Sequence, residues 1–269
     1  MSRNRSHDRA LNPRSRSVRK RLSQNFLVDA AAARMIVQSS GVGADELVVE
    51  IGPGDGMLTR HLLARVRQVL AFEKDERFAE RLRRRYAGDD RLRCVHADFR
   101  DPRAPNEPFA VVANVPFSLT TECVRWCLDA RHLTSATLVT QLEFARKHTG
   151  DFGRWTKLTV TNWPVWEFAL GRRVSKRSYR PVPSVDTAVL HLRRRERPLL
   201  RPGELGEYRH LVELGFTGVG GSLRASLRRE VGARAAGRAC AAAGIAGDQP
   251  VGLVRPESWI RLFASLQSA

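Results

Sequence analysis

Four consecutive residues, Asn114-Val115-Pro116-Phe117, carry the groups needed to hold a flat base by its amino group. An amide oxygen accepts a hydrogen bond from an exocyclic amine, and an aromatic ring stacks on a purine face. Proline narrows the conformations open to the residue before it. The plainer reading of the tetrad is a strand end followed by a proline turn. A second cluster is Glu50-Ile51-Gly52-Pro53-Gly54-Asp55-Gly56. Its glycines permit a tight turn and let a ligand approach the backbone. The spacing is Gly-x-Gly-x-Gly rather than the Gly-x-Gly-x-x-Gly of dinucleotide sites, and carboxylates flank it. Those acids repel a pyrophosphate and attract a cation, so a dehydrogenase ranks last among the readings. Glu73 follows roughly 20 residues on, where a carboxylate holds ribose hydroxyls. Asp98 in Ala97-Asp98-Phe99 is able to accept from an adenine amino group, with Phe99 packed on the ring.

These groups act together only if the chain delivers them to one edge of one sheet. Phe109 to Ala113 is a short apolar run rich in β-branched residues, which predicts a buried parallel strand ending at Asn114. Leu47 to Ile51, Val69 to Phe72 and Leu92 to His96 predict three more strands, each ending at one of the acids. Helices are expected over Asp29 to Ser40, about residues 56 to 66, the charged stretch through Tyr86, and Thr120 to Asp129. Ser135 to Thr140 is a further strand, and the β-rich runs Leu158 to Leu170 and Val185 to Leu192 are expected to close the sheet as a hairpin. This alternation predicts an α/β fold with a doubly wound, mostly parallel sheet. In such sheets ligands bind beyond the carboxyl ends of the strands. An isolated acid at a strand end is ordinarily a helix cap. Several in register predict an acidic pocket within a positive surface, and adenine, diol and sulfonium without phosphate make S-adenosylmethionine the matching ligand.

The chain of 269 residues has a formal net charge of +18, which favours a polyanionic partner, chiefly nucleic acid. Lysine occurs at only five positions, 20, 74, 147, 157 and 176, among 46 basic residues. A GC-rich genome accounts for arginine in place of lysine but not for the excess of positive over negative charge. Residues 1–21 form an Arg- and Ser-rich arm, expected to lack structure and to contact RNA. The body of the domain spans 22–196. From Arg197 onward, prolines and Ala- and Arg-rich helices suggest a small helical domain over 197–269. The four cysteines form no Cys-x-x-Cys pair and no histidine lies at zinc-ligand spacing, so no metal is expected. No apolar stretch reaches the length of a membrane span, and no secretory signal is visible. The expectation is a reduced, cytoplasmic monomer.

Taken together, Ser23-Gln24-Asn25-Phe26-Leu27, Glu50 to Gly56 with Leu58-Thr59, Glu73, Asp98-Phe99, Asn114 to Phe117 and Pro181-x-Pro183-x-Val185 resemble the rRNA adenine N6-methyltransferases. This family joins the Erm resistance methyltransferases and the small-subunit rRNA dimethyltransferases. The motifs stand in family order over about residues 22 to 192. The resemblance implies a Rossmann-like class I S-adenosylmethionine-dependent domain. It implies that Asn25 and Leu27 close over the cofactor, that Gly52 and Gly54 line its methionine end, that Glu73 binds the ribose, and that Lys74 and Asn114 are also cofactor-binding. Asp98 and Phe99 would hold the cofactor adenine. Asn114 and the Val115 carbonyl would hold the target amino group, with Pro116 shaping the turn and Phe117 stacking on the flipped base. Tyr179 matches a position where the family often carries Phe, proposed to sandwich that base. The basic arm, the Asn-Val-Pro-Phe form and the short C-terminal part look more Erm-like, which implies an adenine in 23S rRNA, single-stranded or bulged, and macrolide, lincosamide and streptogramin B resistance. The alternatives are a 16S rRNA dimethyltransferase and a non-catalytic RNA-binding factor on the same fold.

Overall fold

The computed structural model describes residues 25–218 and 220–268. Ser23, Gln24 and the basic arm lie outside them. In chain order the elements are β1 (Phe26–Leu27), α1 (Ala30–Ser39), β2 (Leu47–Ile51), α2 (Thr59–Leu63), β3 (Gln68–Glu73), α3 (Glu76–Arg85), β4 (Leu92–His96), β5 (Phe109–Asn114), α4 (Thr120–Asp129), β6 (Leu133–Gln141), α5 (Leu142–His148), α6 (Lys157–Asn162), β7 (Trp166–Val174), β8 (Tyr179–Arg180), β9 (Thr187–Arg194), α7 (Leu205–Gly215), α8 (Leu223–Val231), α9 (Ala233–Ala242) and α10 (Pro256–Gln267).

Seven strands form one sheet in the order β4-β3-β2-β5-β6-β9-β7. The five from β4 to β6 are parallel, and β9 runs antiparallel to both β6 and β7. Both faces are covered, which is why the central strands read as unbroken apolar runs. Val49, Ile51, Val111 and Ala113 belong to one core layer, whereas Val48, Ala110 and Val112 belong to the opposite layer. Strand order reverses between β2 and β5, and that switch opens a crevice at their carboxyl ends. Asp29 caps α1 by accepting from Ala31 and Ala32 N–H at 2.8 and 3.2 Å, and Asp75 caps α3 by accepting from Arg77 N–H at 3.0 Å.

The predicted strands and the helix over Thr120 to Asp129 stand where the sequence places them. The helix after the glycine turn is shorter, Thr59–Leu63 against an expected 56 to 66. The run Leu158 to Leu170 is not one strand. Its first part is α6 and only its second part is β7. Thr156 caps α6 by accepting from Thr159 N–H at 3.1 Å, and Pro164 follows its end. The β-branched Thr159, Val160 and Thr161 become helical because tertiary packing overrides their propensity. Val160 enters a third core cluster with Tyr208, Leu211, Leu227, Trp259 and Phe263. The Tyr208 hydroxyl donates to the Val160 carbonyl at 2.9 Å, so the helical part engages the chain well before Arg197. Cys123 and Cys127 pack in the first core layer, as their spacing on one helix face predicts.

Candidate active site

A crevice open to solvent lies over the carboxyl ends of β2, β3, β4 and β5. Asn25, Leu27, Gly52, Gly54, Glu73, Lys74, Asp98, Phe99, Asn114, Val115, Pro116 and Phe117 all line it. Residues up to 92 positions apart in sequence thus share one cavity, because four parallel strands end at the same level.

The glycine turn is built around Glu73. Gly54 N–H donates to Glu73 Oε2 and Asp75 N–H to Oε1, each at 2.9 Å. Gly54 has a φ of +53°, and a methyl group there would meet the Phe26 ring at 3.2 Å. Glycine is therefore required for the backbone conformation and for the close approach of Phe26. Burial raises the Glu73 carboxyl above its ordinary pKa despite these two donors. Glu50, almost fully buried, accepts from the Thr59 hydroxyl at 2.6 Å, and desolvation pushes its pKa up to about 8. Among the described residues no Lys or Arg pairs with Glu50 or Glu73. With Glu73 occupying the Gly54 N–H, the turn offers that donor to no phosphate, and the nearby carboxylates disfavour one. A cation fits: burial favours the protonated form of these carboxyls, and an incoming positive charge favours the ionised form, so a site without a basic partner gains by receiving one.

Asp98 accepts from Arg100 Nε at 2.9 Å, Arg100 Nη2 at 2.6 Å, Lys74 Nζ at 2.8 Å and the Arg100 N–H at 3.2 Å. These charge-assisted bonds hold its carboxyl well below the usual carboxylate range, the Arg100 side chain contributing most. Phe99 is buried, edge-on to Trp126 with ring centroids 6.1 Å apart.

Asn114 is the last residue of β5, and its Nδ2 donates to the Asn25 carbonyl at 3.2 Å. Only the amide nitrogen can make that bond, so the partner fixes which way the amide points. Oδ1 is left as the acceptor. Val115 N–H donates to the Val139 carbonyl at 3.3 Å, and a single 3₁₀ turn at Phe117–Leu119 follows Pro116. Phe117 opens that turn half-buried, with its ring on the cavity wall.

Tyr179 is not on the wall. It is 0 % exposed, packed in the second core layer, and its hydroxyl meets Thr187 Oγ1 at 3.1 Å. The two-residue strand β8 pairs antiparallel with β1, Leu27 opposite Tyr179 and Phe26 opposite Arg180. Strand alternation then sends Tyr179 into the core and leaves Arg180 exposed. The expected base-sandwiching role does not hold for a ring enclosed in this way. Three ring residues of the wall have no role predicted from sequence, Phe26, Phe72 and Phe78, and the centroids of Phe26 and Phe78 lie 5.2 Å apart. Phe78 was detectable in principle, since it stands in the first turns of the helix that leaves β3 at Glu73. Phe26 depends on the β1–β8 pairing, which no local pattern announces.

A parallel sheet reversing at its centre, a glycine turn closed on a carboxylate, and an amide-proline-aromatic strand end define an α/β methyltransferase. The chain belongs to the ribosomal RNA adenine dimethylase family, whose model matches residues 15–268. It is 46% identical over 248 residues to an rRNA adenine N-6-methyltransferase of Saccharopolyspora erythraea, covering 92% of this chain and 65% of that protein. It is 41% identical over 216 residues to the mycinamicin-resistance protein MyrB of Micromonospora griseorubida, covering 80% of this chain and 68% of that one. The crystal structure of the 23S rRNA methyltransferase ErmE superposes with a TM-score of 0.86 at 46% identity, covering 90% of this chain and all of that one.

Proposed function

We propose that this chain transfers a methyl group from S-adenosylmethionine to the N6 amino group of one adenine in 23S rRNA, and that the modification gives resistance to macrolide, lincosamide and streptogramin B antibiotics. The observation that carries the chemistry is the oriented Asn114 amide in one cavity with two buried carboxyl groups, Glu50 and Glu73. The likeness to ErmE supports the 23S substrate, and the likeness to a mycinamicin-resistance protein supports the resistance reading. Residues 22–196 form the catalytic domain and 197–269 a helical accessory, with α6 packed against the accessory. No helix among the described residues is long and apolar enough to cross a membrane. The enzyme works as a cytoplasmic monomer.

S-adenosylmethionine supplies an activated methyl on a sulfonium. Glu73 holds the ribose through acceptor positions left beside its two backbone donors, and Asp98 with Phe99 takes the cofactor adenine. Glu50 and Glu73 favour a positive ligand. Asn25 and Leu27, held by the β1–β8 pair, close the cavity from above. Phe117 stacks on the target base, which leaves its helix at a cost of a few kcal/mol, least for a bulged or single-stranded adenine. Asn114 Oδ1 and the Val115 carbonyl accept the two amino hydrogens. An adenine amino nitrogen is a poor nucleophile because its lone pair is delocalised into the ring. Two acceptors favour a more tetrahedral nitrogen whose lone pair points at the methyl. Positioning of this kind contributes about 7–11 kcal/mol.

The test is incubation with radiolabelled methyl donor and each purified ribosomal RNA, with mapping of the modified nucleotide. Label in one adenine of 23S rRNA is expected, and label confined to 16S rRNA would overturn the assignment. Asn114→Ala should abolish turnover while RNA still binds, and full activity in that variant would remove the amide from the mechanism.

A further inference from the structure

Asp98 faces the cavity with no acceptor position to spare. An ionised carboxylate offers about four lone-pair sites, two on each oxygen. Oδ1 accepts from the Arg100 N–H at 3.2 Å and from Arg100 Nε at 2.9 Å. Oδ2 accepts from Arg100 Nη2 at 2.6 Å and from Lys74 Nζ at 2.8 Å. An adenine amino group therefore bonds to Asp98 only after one of these donors leaves.

The four donors are unequal. Arg100 makes a two-pronged pair reinforced by its own N–H, two residues from Asp98, and its guanidinium lies over the Phe99 ring with its carbon 5.9 Å from the centroid. Swinging the guanidinium away breaks two charge-assisted bonds and uncovers an aromatic face. Lys74 makes one bond, from a side chain 70% exposed. An ammonium at that exposure regains water as it swings out, so its departure costs little. Only the side chain has to move, because His96 Nε2 donates to the Lys74 carbonyl at 3.2 Å and holds the backbone there.

We propose that Lys74 is a latch: its ammonium competes with the cofactor's adenine amino group for Asp98 Oδ2 and leaves when the cofactor enters. The inference rests on the assignment of Asp98 to the cofactor adenine. It reverses the expected role of Lys74, which then lowers cofactor affinity instead of adding a contact. It also makes the site selective. A ligand with an amino group compensates Asp98 for the lost ammonium, whereas one without it does not.

The experiment is calorimetric binding of S-adenosylmethionine and S-adenosylhomocysteine to the wild-type chain and to Lys74→Met, at low and high salt. The probe set includes an S-adenosylhomocysteine analogue lacking the purine 6-amino group. Exposed ion pairs are worth up to ~1 kcal/mol, so Lys74→Met should bind both natural ligands about two- to five-fold more tightly. Wild-type affinity should rise with salt, because salt weakens the Lys74–Asp98 pair, and the variant should lose that rise. The analogue should bind both proteins alike. Weaker or unchanged binding of the natural ligands by Lys74→Met overturns the latch, as does an equal gain for the analogue. A wild-type chain that binds neither natural ligand overturns the cofactor reading itself, and the latch with it.

Discussion

Replacing Tyr179 by Phe separates a core residue from a base-stacking one. The Thr187 hydroxyl donates to the Val174 carbonyl at 2.8 Å, so its proton is already committed. The Tyr179 hydroxyl must then be the donor in its 3.1 Å contact with Thr187 Oγ1. Burial pushes the Tyr179 pKa up to about 12, which keeps that proton in place at neutral pH. Phe at 179 removes one neutral buried hydrogen bond and leaves the ring and its packing. Such a bond is worth about 1 kcal/mol net. Thr187 retains its bond to Val174, so no donor is orphaned and the loss should stay near that value. In a chain of this size that lowers the melting temperature by about 2–4 °C. The assay pairs a thermal melt with single-turnover methylation of the RNA. The melting temperature should fall by that amount while the methylation rate and RNA affinity change little, since the cavity wall is untouched. An unchanged melting temperature together with a tenfold slower methylation would refute the reasoning and return Tyr179 to the active site.

Gly54→Ala should destabilise the chain by roughly 1–2 kcal/mol, the cost of a left-handed conformation for a residue with a Cβ. The added methyl also presses on Phe26 at 3.2 Å and shifts the N–H that holds Glu73, so cofactor affinity should fall with it. Calorimetry showing wild-type affinity would separate the turn from the ribose site. Glu50→Gln probes the buried carboxyl. From the ordinary value of 4.5 to about 8, the folded chain keeps a proton on Glu50 that the unfolded chain has released. Stability therefore falls as pH rises through that window. In melts without cofactor, the Gln variant should exceed wild type above pH 8, with the gap closing toward pH 4.5. A gap constant across the range would remove Glu50 as its source.

Much of the site was legible because its chemistry sits at strand ends. Apolar runs such as Leu47 to Ile51 and Phe109 to Ala113 announce strands covered on both faces, and the residue after each run must emerge at one edge. Glu73, Asp98 and Asn114 could therefore be placed together from one-dimensional pattern alone, with Glu50 one residue inside its own run. The Gly-x-Gly-x-Gly turn likewise declared a backbone that only glycine adopts freely, and Gly54 at φ +53° bears this out. Long-range pairing decided the rest. The strands β1 and β8 are two residues each and about 150 positions apart, too short to carry a period. Their register sets Tyr179 inward and brings the Asn25 carbonyl to Asn114. The helix α6 carries β-branched residues that favour strand locally, and a distant core that buries Val160 makes it helical. Side-chain saturation at Asp98 depends on Lys74 and Arg100 converging from two different loops. Local pattern determined which groups reach the edge, because burial of a strand is a property of its own residues. Tertiary structure determined which of them are free to act, because an acceptor's capacity is spent by whatever neighbours the fold brings to it.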